Sequence, residues 1–125
     1  MPASFDYAVL RVVPRVERQE FLNTGVIVFC RERRYLAAKV TVDEARLRAL
    51  WSHLEIQAIR QHTDAIVRIC AGDSSAGPIA ALSQSERFHW LTSPRSTTIQ
   101  TSPVHTGICQ DTEVLLDQLY AQMIG

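Results

Sequence analysis

One uninterrupted apolar run, Val26-Ile27-Val28-Phe29-Cys30, constrains this chain more than any other feature. It follows Asn23-Thr24-Gly25 and stops at the charged Arg31-Glu32-Arg33-Arg34. A short, β-branched run with no polar interruption fits a central strand buried on both faces. Residues 5–13, rich in Tyr, Val and Leu and ended by Pro14, read as a second strand. Residues 35–42 read as a third. The charged tip between 30 and 35 is of hairpin length and cannot join parallel strands, so neighbouring antiparallel strands follow.

Helical spacing takes over after residue 41. Thr41-Val42-Asp43-Glu44 matches a capping box, in which a hydroxyl and a carboxylate satisfy free amides at a helix start. Leu47, Leu50, Trp51 and Leu54 then recur on one face. A longer helix is predicted over residues 55–71, with Ile56, Ile59, Ile66, Val67 and Cys70 on its buried stripe and Gly72 at its C-terminal cap. Residues 73–78 read as a surface loop, and Ser83-Gln84-Ser85-Glu86 as a second capping box that opens a short helix carrying Phe88 and Leu91. Residues 97–101 form a candidate fourth strand around Ile99, and residues 112–123 a last helix burying Leu115, Leu116, Leu119 and Met123. No repeat and no long linker divides the 125 residues. The expectation is a single α+β domain over residues 1–125, a small antiparallel sheet of three to four strands with three to four helices packed on it.

A formal net charge of zero argues against simple electrostatic capture of nucleic acid or membrane. No apolar stretch approaches the roughly 20 residues that span a bilayer. The N-terminus lacks a basic leader and apolar block, so a cytoplasmic location is expected. Three scattered cysteines, Cys30, Cys70 and Cys109, are poor material for a disulfide framework or a four-ligand zinc site; Cys30 and Cys70 fit the core. The chain carries no dinucleotide fingerprint, phosphate loop, nucleophile elbow or zinc-protease motif, so neither cofactor nor metal is expected.

Three constellations are candidates for chemistry. The first is Arg11-x-x-Pro14-Arg15-x-Glu17-Arg18-x-Glu20-x-x-Asn23-x-Gly25. It suits either an internal Arg–Glu network tying a turn to the sheet, or a polar pocket in which Arg11 and Arg15 hold an anion that Glu20 and Asn23 orient. Pro14 fixes the backbone leaving the sheet, and Gly25 suits a conformation or close approach that a side chain forbids. In the second, Arg95 and Ser96 of Ser93-Pro94-Arg95-Ser96-Thr97-Thr98 either bind phosphate or form a solvated turn. The third is His105-Thr106-Gly107-Ile108-Cys109-Gln110-Asp111. Here His105 and Cys109 offer at most two metal ligands, His105 with Asp111 or Glu20 suits acid–base work, and Asp111 suits a helix cap. His62 and His89 read as half-buried packing residues.

The pattern Tyr7-x-Val9-x-Arg11-x-x-Pro14-Arg15-x-Glu17-Arg18-x-Glu20-x-x-Asn23-x-Gly25-Val26, with Arg95-Ser96-Thr97 and His105-Thr106-Gly107 downstream, resembles the bacterial family of domain of unknown function 3037 (DUF3037). The resemblance covers nearly the whole chain and brings no established activity. Members are often encoded beside a kinase resembling the HipA toxin, which implies a role as partner or regulator of that kinase. Two functions stay open at this point. The first is a non-catalytic binding or adaptor module with an exposed patch or sheet edge. The alternative is a small enzyme acting on a phosphorylated or nucleic-acid substrate, with Arg11, Arg15 and Arg95 on the phosphate and Glu20 or His105 moving a proton.

Overall fold

The apolar run at 26–30 lies inside the sheet, as its composition requires. A computed structural model of the chain describes residues 2–95 and 97–124. Strand β1 (Ala3–Val12) pairs antiparallel with β2 (Leu22–Cys30), which pairs antiparallel with β3 (Tyr35–Val40). The other side of β1 is taken by two short strands, β4 (Ile99–Thr101) and β5 (His105–Cys109). Leu10 faces Thr101 and Tyr7 faces His105, so three residues (102–104) lie opposite two on β1. Strands β4 and β5 are therefore one edge strand interrupted by a bulge at Pro103. Ser102 bridges the interruption: its N–H donates to the Val9 carbonyl, and its hydroxyl accepts from the Val9 N–H. The sheet thus has five strands, in the order β3-β2-β1 and then the β4/β5 edge.

Helices cover both faces. On one side lie α1 (Glu44–Leu50), α2 (Ile56–Ala71) and α3 (Gln84–Thr92), packed over Leu10, Val12, Ile27, Phe29, Leu36 and Ile99. On the other, α4 (Thr112–Met123) packs over Ala3, Phe5, Val26, Val28 and Cys30. Alternation along β1 and β2 divides these two apolar sets, which is why β2 has no polar residue after Gly25. Cys30 and Cys70 are both core residues.

Caps fix most helix ends, with one departure from expectation. Ser83 and Glu86 form both arms of a capping box, Asp111 caps α4, and Gly72 closes α2 in the left-handed region at φ 75. Thr41, however, is not the cap of α1. Its N–H donates to Thr24 and its carbonyl accepts from the Thr24 hydroxyl, so the residue is still tied to β2. Asp43 caps α1 instead, accepting from the Arg46 N–H at 3.1 Å. On α2 the buried stripe runs through Ile56, Ile59, Thr63, Ile66, Ile69 and Cys70, with Val67 only half-buried. Among the described residues no helix is long and apolar enough to cross a membrane.

Candidate functional site

The early polar cluster does not converge. Arg11 lies between Leu10 and Val12, which face α1–α3, so its side chain projects to the α4 face. It pairs across the sheet with Asn23 on β2 and Gln100 on β4. Its guanidinium stacks 4.2 Å from the Phe21 ring centroid, a cation–π contact in place of an acidic partner. Asn23 donates to the Met123 carbonyl at the end of α4 (3.3 Å). The Arg11 Nε and Asn23 Oδ1 are buried without a hydrogen-bond partner among the described residues.

Arg15, beyond Pro14, projects to the opposite side. It lies 5.1 Å from the Trp51 ring centroid and bridges Glu17 at 2.8 Å, while Arg18 bridges Glu20 at 2.6 Å. Hydrogen bonds from its own backbone and from Arg15 hold the Glu17 carboxyl below the usual range. Arg95 donates to the Leu91 and Trp90 carbonyls at the end of α3 (3.0 and 2.5 Å) and stacks on Trp90. Ser96 lies outside the described residues.

His105 stacks on Tyr7 at 5.3 Å, its partner across the β1–β5 ladder. Tyr7 and Arg11 are four strand residues apart, about 13 Å, so no single water joins His105 to an anion on Arg11. Glu20 lies past the Val12 end of β1, farther still from His105. The same spacing separates His105 from Cys109, and one metal cannot take both. Among the described residues no three His, Cys, Asp or Glu side chains gather as a metal site. Among the described residues, Arg11, Arg15, Glu20, Asn23, Arg95 and His105 thus make several separate local contacts, with Arg15 and Glu20 sharing one small pocket.

A different cleft forms where the α1–α2 connection meets β4. Helix α1 stops because Trp51 turns to an extended backbone, φ −157 and ψ 109, while its N–H still donates to Leu47. That turn aims the indole across the helix end, with the His53 ring edge-on at 5.5 Å. The cavity holds about 480 Å³, walled by Pro14 and Trp51, floored by Leu54, Ile59 and Ile99, and rimmed by His53, Glu55, His62, Thr97 and Thr98. Its size and apolar floor with few polar rim groups are those of a ligand or side-chain pocket. Trp51 also walls a small pocket of about 80 Å³ on the Arg15 and Glu20 side. Arg15 and Glu20 are therefore near the cleft but behind its aromatic wall.

Sequence reasoning assigned Trp51 to a helix face and His53 to nothing, because no local motif marks a cavity drawn from three distant segments. His62 does register electrostatically. Desolvation, then the nearby charge of Arg95, holds its pKa below the ordinary imidazole value. The folded chain then binds fewer protons than the unfolded chain, so stability is expected to fall as pH drops through about 6.5. The loss stops growing below the folded-state pKa. Urea midpoints at neutral and mildly acidic pH check this: His62→Gln should flatten the difference, and an unchanged pH slope in that variant would refute it.

No curated protein and no solved structure matches the chain. The family model described as Protein of unknown function (DUF3037) matches residues 7–124, which takes in both the Arg11–Gly25 segment and the Trp51 cleft. On that match over nearly its whole length, the chain belongs to the DUF3037 family.

Proposed function

We propose that this protein is a non-catalytic binding module that holds a partner protein at the Trp51 cleft, the partner being a kinase resembling the HipA toxin. One observation carries the reading. The cleft combines a half-buried tryptophan, braced on its far side by Arg15, with an apolar floor of Leu54, Ile59 and Ile99. Tryptophan over an apolar floor is the kind of anchor at which binding energy concentrates in protein interfaces. The cavity has room for one or two side chains of a partner. The kinase as partner comes from the family resemblance.

Titration calorimetry with the neighbouring kinase tests the proposal. Trp51→Ala is expected to weaken binding about 30-fold, a loss near 2 kcal/mol. Thr98→Arg, at an exposed rim position, should obstruct the cleft while leaving the core intact. Full-strength binding by a folded Thr98→Arg variant, or no binding by the wild-type chain, would sink the proposal.

A further inference from the structure

We infer that the free edge of β5 pairs with β5 of a second copy of this chain, around a twofold axis at Gly107, to join two sheets into one. The hydrogen-bond phase of β1 leads there. Val9 exchanges bonds with Ser102 and Val13 donates to Thr98, so the odd residues of β1 turn their amides toward the β4/β5 edge. Their partners on β5 are His105, Gly107 and Cys109, facing Tyr7, Phe5 and Ala3. In antiparallel pairing the intervening residues, Thr106 and Ile108, must then point N–H and C=O away from the sheet. Ile108 is 78% exposed, more than any other large apolar residue described.

An outward donor–acceptor pair at 106 and another at 108 is self-complementary. Under a twofold axis at residue 107, Thr106 meets Ile108 of the second copy and Ile108 meets its Thr106, closing four main-chain bonds. Gly107 then faces Gly107 in the closely spaced, non-bonded position. Thr106 and Ile108 form β-branched cross-strand pairs on one face. Natural edges are blunted with charge or proline. This one has Pro103 at its start, yet residues 99–110 contain no Asp, Glu, Lys or Arg, so nothing in the strand repels its own copy. That neutrality and twofold self-complementarity favour a second copy over an unrelated strand. The pairing sits at the opposite end of β1 from the Trp51 cleft and leaves it open; neither proposal depends on the other.

Light scattering on the full chain across a wide concentration range tests the inference. The wild type is expected at twice its 14.1 kDa chain mass when concentrated. Thr106→Pro removes an outward N–H without touching a bond to β1, and Ile108→Lys places a charge at the axis-flanking position. Each should raise the dimer dissociation constant about tenfold or more while leaving the thermal midpoint of the monomer unchanged. A chain that stays at 14.1 kDa at every concentration overturns the inference. So does a dimer that both folded variants form as tightly as the wild type.

Discussion

Replacing Arg87 with methionine is expected to cost about 3 kcal/mol of stability and to lower the thermal midpoint by about 10 °C. Arg87 is 8% exposed, on the buried side of α3. Its Nη1 donates to the Ile69 and Cys70 carbonyls at 2.8 and 2.9 Å, and its Nε donates to Leu82 at 3.0 Å. The first two are carbonyls of the last turn of α2; the Ile69 carbonyl also accepts from the Gly72 N–H, while the Cys70 carbonyl takes its donor from Arg87. A cation there also opposes the negative end of the helix dipole. Glycine at 72 is part of the same device, because a Cβ there would lie 3.3 Å from the Arg87 Nη1. Methionine keeps most of the volume but leaves the buried Cys70 carbonyl without that donor and removes the second donor at Ile69 and the one at Leu82. Lysine supplies charge without the fork, so it should recover less than half of the loss. Equilibrium urea unfolding distinguishes the cases. A methionine variant within about 1 kcal/mol of wild type would mean that water replaces the guanidinium at those carbonyls.

Arg87 is also a measure of what sequence alone conveys. Its helix, its capping box and the apolar positions Phe88 and Leu91 are visible in residues 83–91, because each is a local pattern with a local cause. The role of Arg87 depends on the last turn of α2, whose Ile69 carbonyl lies eighteen residues earlier. The same division runs through the molecule. Strands β1 to β3 and helices α2 and α4 follow from the spacing of apolar residues. Strand β5 does not, because Pro103 before it and Gly107 within it weaken the strand pattern, and Gly107 sits there beneath the Phe5 ring. Thr41 has the right pattern for a cap, yet β2 claims its backbone first. At the candidate site, the nearness of Arg11 and Arg15 in sequence suggests one pocket, and strand alternation followed by the turn at Pro14 sends them to opposite faces. The Trp51 cleft draws on Pro14, residues 51–62 and residues 97–99, so no single window of sequence contains it.

Gly25→Ala is expected to cost about 3 kcal/mol or more. Leu10 faces Gly25 and Arg11 faces Asn23, so Thr24 is an extra residue and β2 bulges toward its other neighbour at this point. A Cβ on residue 25 would lie 2.7 Å from the Lys39 carbonyl oxygen, 2.7 Å from Val40 Cγ1 and 3.1 Å from Val40 Cα. Two of these atoms are backbone of β3, held in the ladder by the pairing of Gly25 with Val40. Relief requires opening the β2–β3 hairpin, and that strand carries Leu36 into the core. Gly107 offers the comparison. A Cβ there would also meet atoms at 2.7 and 2.9 Å, but both belong to the Phe5 ring, which can rotate aside. Gly107→Ala should therefore cost only about 1–2 kcal/mol, even though the nearest contact is equally short. Urea unfolding of the two alanine variants side by side tests whether the softness of the neighbour, and not the distance, sets the penalty. An equal cost, or a larger one at Gly107, would show that β3 yields at the bulge and that Gly25 does not fix the register of the hairpin.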